Sequence, residues 1–381
     1  MKKRTSIVAL VMVALMLMSA CAPAAQPEAP AAAPAPAAAP VAEAPAAPEA
    51  SGPDAKPLVI DGEPVKIAYL ASEVSTPWMV ANTGFLENLV KRCGGEFVVY
   101  NADNDAETQA QQAQDIVTLE PDVILLKPVD SAAIVPSVVN LNNEGIPVIC
   151  IDTGAGEGCD ILTLITSDQL KIGGVDAQYL SETYEETYVA SMMGPLESLI
   201  AQQRQEGFEA AATAAGNVHV LPDAKFDCTW DSNNAYTNTL DALQRHPEIN
   251  AVWVMGDGML GGVVAALKEA DRYVPFGEEG HVAVVGVDAT SDCLTLVREG
   301  AIDGSSEHNA AIHSDVAVRV IIDYLHGFDV PAEVLFTPAF VGNANVDDPN
   351  NWGGMDLTTV STWEPLTHDQ YTIQYANEIM K

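Results

Sequence analysis

Basic residues are scarce in this chain. Lys and Arg number 17 against 53 Asp and Glu, a formal net charge of −36 over 381 residues. So acidic a surface repels phosphate backbones and anionic lipid, which argues against a nucleic-acid-binding role. Cysteine is also sparse. Beyond Cys21 the chain has Cys93, Cys150, Cys159, Cys228 and Cys293, with no CxxC pair and no zinc spacing. They read mostly as small buried apolar residues, and their odd number leaves at least one thiol free if any pair. No GxSxG elbow or HExxH pair is present. The acidic loop Asn101-Ala102-Asp103-Asn104-Asp105 lacks the glycine and final glutamate of an EF-hand. His219, His246 and His281 read as surface or loop residues without partners. No metal, no cofactor and no catalytic residue are expected, so the chain is read as a non-enzyme.

The apolar run Ile7 to Met18 is too short to cross a bilayer comfortably. Preceded by Lys2, Lys3 and Arg4, it reads as a signal peptide over residues 1–20. Met18-Ser19-Ala20-Cys21 resembles a bacterial lipobox, which makes Cys21 the expected lipidation site; the competing reading is an ordinary signal peptide cut nearby. Ala22 to Pro53 is almost all Ala, Pro and Glu and lacks the side chains a core needs. Residues 21–63 are therefore expected to be an anchor and extended spacer.

The remainder is organised around Leu119 to Thr153. Asp122 to Leu126 and Ile146 to Ile151 are short apolar runs suited to strands buried on both faces. Between them, Asp130 or Ser131 can cap a helix carrying Ile134, Val138 and Leu141, and Gly145 ends it. This is a βαβ unit, with Lys127 and Asp152 just past the strands' carboxyl ends, where open parallel sheets bind ligands. Strands at Val65–Leu70, Phe97–Tyr100 and Ile161–Thr166 complete one alternating lobe. From Asp168 the alternation restarts, with strands at Tyr188–Met192, Val218–Leu221, Ala251–Met255, Val282–Val287 and Ala301–Ser306. A long helix follows at Ala310–His326. Two such lobes suggest a ligand cleft between them.

From about Pro64 to Gly342 the order of STPWM, NADNDAETQ, LLKPVDS, IPVICIDT, TSD, RQEGF, TWD, GDGM, VGVDAT and EGAIDG resembles the type I periplasmic sugar-binding proteins, the ribose- and galactose-binding group. The resemblance implies two doubly wound α/β lobes joined by a three-segment hinge, closing around ligand by bending. Crossings near Ser167-Asp168, His308-Asn309 and Phe340 to Asn343 would give an N-terminal lobe of 64–167 plus 309–340. The C-terminal lobe and tail would be 168–308 plus 341–381. It also implies a set of ligand residues. Trp78 and Trp230 match ring-stacking positions, with Thr76 and Met79 in the first of those loops. Asp152, Asp257 and Asp288 each follow an apolar strand and can accept from vicinal hydroxyls, though a helix-capping role competes for the last two.

Lys127, Thr153, Gln202, Gly256 and His308 stand where relatives carry other polar groups. Thr153 and Gln202 replace arginines, and losing those rigid donors weakens a case for ribose in particular. Arg204 aligns with a position that is more often structural. Gly256-Asp257-Gly258-Met259-Leu260-Gly261 spells GxGxxG, but Asp257 would crowd a pyrophosphate, so a dinucleotide site is rejected. The expected function is capture of a small polar solute, a monosaccharide first, for an ABC permease; the alternatives are a sensor for a chemoreceptor or kinase, or an amino sugar or non-sugar ligand. If all three aspartates face the ligand, the cleft is net negative and favours a neutral sugar. The protein is expected to be exported, monomeric and bound to the membrane by its lipid only.

Overall fold

The computed structural model describes residues 56–196 and 198–355. The signal peptide, Cys21, most of the spacer and the end of the tail lie outside the described residues. The chain joins the fold before the expected end of the spacer at 63. Leu58 is fully buried, its N–H donates to Cys93 O at 3.0 Å, and its carbonyl accepts from Val65 N at 2.9 Å. Around it, β1 (Val59–Ile60) and β2 (Glu63–Pro64) form a short antiparallel hairpin. A single apolar side chain with a place in the core is enough to end the spacer.

The first lobe then alternates through β3 (Lys66–Ala71), α1 (Pro77–Arg92), β4 (Glu96–Asn101), α2 (Ala106–Asp115), β5 (Val123–Leu126), α3 (Val135–Asn143), β6 (Val148–Ile151) and β7 (Thr163–Ser167). Every residue of β5 and β6 is buried, as their unbroken apolar runs require. Helix α3 starts later than its expected cap. Asp130 Oδ1 accepts from Ala132 N and Ala133 N, both at 2.8 Å, and so caps a preceding turn, while Pro136 opens the helix proper.

The second lobe runs through α4 (Gln169–Thr183), β8 (Thr187–Met193), α5 (Leu199–Ala215), β9 (Val218–Asp227), α6 (Ser232–Arg245), β10 (Ala251–Val254), α7 (Leu260–Glu269), β11 (Ala283–Asp288), α8 (Ser291–Arg298) and β12 (Gly304–Glu307). Strand β9 is longer than its apolar stretch suggests, because a register shift opposite Val189 to Ser191 lets it continue past Pro222. Helix α9 (Ala310–Leu325) packs against α1 and leads into β13 (Glu333–Phe336) at the edge of the first sheet. Strand β14 (Phe340–Gly342) then pairs antiparallel with β12 in the second. The chain therefore passes between sheets after Ser167, between Glu307 and Ala310, and at 337–339. Phe340 lies beyond the third passage: it pairs with Ser306 and stacks on Tyr179, with centroids 4.1 Å apart.

Among the described residues, each lobe's main sheet has six strands, ordered β13-β7-β6-β5-β3-β4 and β14-β12-β11-β10-β8-β9. Chain order reverses between β3 and β5 in one and between β8 and β10 in the other. Open α/β sheets form their ligand crevice at such reversals, outside the carboxyl ends of the strands. Close helix packing supports the second crevice. A Cβ on Gly173 would lie 2.0 Å from Arg204 O, and one on Gly207 only 1.9 Å from Leu170 O. The two glycines thus let α4 and α5 touch backbone to backbone, which fixes the base of the cleft.

Candidate functional site

A cleft of about 530 Å³ lies between the carboxyl edges of the two sheets. From the first lobe it is lined by Glu73, Thr76, Trp78 and Met79 near the start of α1, Asn104 and Asp105 before α2, Lys127 after β5, and Asp152 and Thr153 after β6. The second lobe contributes Ser198, Ile200 and Arg204 at the start of α5, Trp230 after β9, Gly256 after β10 and Asp288 at the end of β11. His308 comes from the segment between β12 and α9.

The base is a paired set of charges. The Lys127 ammonium contacts the Asp152 carboxylate directly. His308 Nε2 lies 3.0 Å from Asp152 Oδ1, within ion-pair range but without hydrogen-bond alignment, and its Nδ1 lies 3.3 Å from Asp288 Oδ1. Arg204 completes the set: it reaches His308 Nδ1 at 3.1 Å, donates to Met255 O at 2.5 Å and to Gln169 Oε1 at 2.8 Å, and lies 3.9 Å from Asp288. An always-charged guanidinium beside Nδ1 makes that nitrogen an acceptor. Burial, with Arg204 and Lys127 adding to it, pushes His308 down to about 4, against the pull of Asp288, so the ring is neutral at neutral pH. Burial also pulls the Lys127 ammonium down to about 7; Arg204 reinforces the shift, while Glu73 and Asp288 oppose it. The contact with Asp152 likewise favours the charged ammonium.

Two backbone positions at this base are strained. Asp152 has φ +67° and Asp288 φ +117°, the second well outside what a side-chain-bearing residue normally adopts. Trp230 also has positive φ, +59°, which turns its ring toward the cleft over Gly194 and Gly256. A Cβ on Gly194 would meet the indole at 2.0 Å, so the glycine makes room for the ring.

Ten of the twelve positions expected from sequence line the cleft: Thr76, Trp78, Met79, Lys127, Asp152, Thr153, Trp230, Gly256, Asp288 and His308. Gln202 does not: its side chain is exposed and donates to Leu196 O at 2.7 Å. Arg204, two residues on, points to the cleft instead, because α5 docks on α4 along the face that carries it. Asp257 is also absent from the lining. It turns into the second lobe, where Oδ2 accepts from Thr290 N at 2.8 Å and Oδ1 from Ser305 Oγ at 3.0 Å. Gly286 leaves it space, since a Cβ there would sit 2.6 Å from Asp257 Oδ1. Burial and the Asp288 charge push its carboxyl well above the usual range.

Trp78 differs in kind from Trp230. It is only 5% exposed, stacks on His308 with centroids 4.7 Å apart and planes 9° apart, and donates from Nε1 to His308 O at 2.8 Å. One face of its ring is thus already covered by protein. Trp230 is half-buried and its ring remains a cleft wall.

Reading the sequence missed Glu73. Its carboxylate accepts from Ser75 N–H and Oγ and from Thr76 N and Oγ1, which ties the loop before α1 into one shape and holds the carboxyl below its usual range despite burial. Outside the cleft, His281 has partners that were not foreseen: Asp303 at 2.9 Å and Val274 O at 2.6 Å. His219 likewise pairs with Glu186, and His246 with Asp223 and Glu248. Among the described residues, no group of three or more His, Cys, Asp or Glu side chains is placed to hold a metal ion.

Two parallel-sheet lobes with a polar cleft between their carboxyl edges define a two-lobed solute-binding fold. The profile of the periplasmic binding protein domain matches residues 67–328, and the chain belongs to that family. It is 26% identical over 262 residues to a ribose import binding protein of Bacillus subtilis, covering 68% of this chain and 82% of the relative. It is 23% identical over 266 residues to the D-allose-binding periplasmic protein of Escherichia coli, covering 67% and 83%. The fold superimposes on a Caulobacter myo-inositol binding protein bound to myo-inositol with a TM-score of 0.69 at 21% identity, covering 76% of this chain and 97% of that one.

Proposed function

We propose that this chain captures a neutral monosaccharide or closely related polyol in the interlobe cleft and delivers it to an ABC importer, without catalysing a reaction. The observation that carries this reading is that Asp152 and Asp288, strand-end carboxylates from opposite lobes, both line the cleft and meet at its base, 3.0 Å and 3.3 Å from the His308 ring. Carboxylates accept two or more hydrogen bonds each, which suits vicinal hydroxyls, and Trp230 offers a flat apolar wall for the C–H face of a ring. The lining carries Glu73, Asp105, Asp130, Asp152 and Asp288 against Lys127 and Arg204. That excess of acid disfavours an anionic ligand even though Asp257 faces away. The names of the relatives, for ribose, allose and myo-inositol, agree in chemical class. A thermal-shift screen over pentoses, hexoses, polyols, amino sugars, amino acids and organic acids tests the reading: stabilisation by neutral sugars or polyols supports it, and stabilisation by amino acids or organic acids alone contradicts it.

The basic leader and the Cys21 motif support export and lipid anchoring. Cys21→Ala should move the protein from the membrane fraction to the soluble one. Unchanged fractionation would remove the anchor from the account.

A further inference from the structure

Behind the cleft, beyond the residues that the family profile matches, the chain makes one more contact with the site. Residues 343–355 are fastened to the second lobe. Val346 is buried in its core, Arg298 holds Asp347 at 2.9 Å and donates to Val346 O at 3.1 Å, and Gly353 lies so close to α8 that a Cβ there would be 2.3 Å from Ala289 O. From that base Trp352 inserts its ring, 3% exposed, into the apolar cluster of the first lobe. Its Nε1 donates to Asp288 O at 2.7 Å, the carbonyl that also accepts from His308 N at 3.2 Å. Asp288 and Ala289 both have positive φ, +117° and +59°, so the turn holding the cleft carboxylate is one the backbone does not favour unaided.

We propose that Trp352 is a positioning residue for the ligand site: by fixing the Asp288 carbonyl from the first lobe's core, it holds the Asp288 carboxylate where the ligand needs it. A buried indole with its N–H satisfied is a rigid strut, and it spans the two lobes without touching the cleft. This inference rests on the binding reading given above, because it concerns the same carboxylate.

Trp352→Phe keeps an aromatic ring in the cluster and removes only the N–H donor. Binding of D-ribose, D-allose and myo-inositol is measured by titration calorimetry for wild type, Trp352→Phe, Asp288→Asn and the double variant. If Trp352 acts through Asp288, the single variants each weaken the tightest of the three by about fivefold or more, and the double variant is little worse than Asp288→Asn alone. Fold-changes that multiply, or a Trp352→Phe constant within twofold of wild type, overturn the proposal. If wild type binds none of the three, the binding reading fails for those sugars, and the strut is judged ligand-free. Hydrogen exchange at the Ala289 and Thr290 amides must then be faster in Trp352→Phe, and unchanged exchange overturns the proposal.

Discussion

His308 Nε2 lies 3.0 Å from Asp152 Oδ1, a carboxylate of the first lobe, while the same ring reaches Asp288 and Arg204 of the second. The imidazole sits on the segment that joins the lobes, and its own carbonyl accepts from Trp78 Nε1. A neutral, fully enclosed ring at this point links the two halves of the charge set without adding charge to it.

The first prediction concerns pH and stability. His308 is held at about 4 in the folded protein against an ordinary value of 6.5. Between those values the unfolded chain binds the proton and the folded one does not. The contribution of this residue is therefore fully present above pH 6.5 and is lost as pH falls toward 4. At 1.36 kcal/mol per unit, the loss is about 3 kcal/mol. Denaturant unfolding at pH 7 and pH 4.5 should show His308→Gln losing less stability than wild type over that interval. Equal losses would mean the ring is not held neutral.

The two tryptophans should separate cleanly. Trp230→Ala removes a cleft wall and should weaken sugar binding by about tenfold or more, with a small change in melting, since one tenfold step is 1.4 kcal/mol and ring contacts supply a comparable amount. Trp78→Ala empties a buried site stacked on His308 and should cost about 3–5 kcal/mol of stability. Calorimetric binding and thermal melts on both variants check this, and the reverse pattern would exchange their roles.

Asp257→Asn should be tolerated. The carboxyl is pushed up by burial and by Asp288, and an amide is a close isostere of the protonated acid, able to keep the Thr290 contact and to donate to Ser305 Oγ. Sugar affinity within about threefold of wild type is expected, as is a stability change near 1 kcal/mol. A tenfold loss of affinity with an intact fold would return Asp257 to the ligand set.

These contrasts mark where the sequence was readable. The lobes were legible because buried parallel strands such as Val148–Ile151 are unbroken apolar runs, each followed by a polar residue at the sheet's carboxyl edge. The same rule placed Lys127, Asp152 and Asp288 in the cleft. It could not separate Asp288 from Asp257, since both follow apolar strands; the difference is made by Gly286, whose missing side chain opens a space only a folded sheet reveals. Gln202 and Arg204 exchanged places for a related reason: which face of α5 meets the cleft depends on the glycine contact with α4. Strand β13 and Trp352 carried too little pattern to be read. The edge strand alternates over only four residues, and the indole's partner lies 64 positions away.

Ligand charge gives a fourth prediction. With five carboxylates and two cations lining the cleft among the described residues, galactose should bind more tightly than galacturonate, and glucose more tightly than glucuronate, wherever binding is detectable. Like charge in a poorly hydrated cleft is costly. Preference for the acid in both pairs would show that Lys127 and Arg204 are released from their partners to receive the ligand.

The most direct test asks whether ligand is held by both lobes at once. Asp152→Asn alters the first lobe and Asp288→Asn the second, and calorimetry with the tightest-binding neutral sugar of wild type measures each. The account predicts that both substitutions weaken binding by about tenfold or more while the protein stays folded. A dissociation constant within twofold of wild type for either one would contradict binding in the cleft between them.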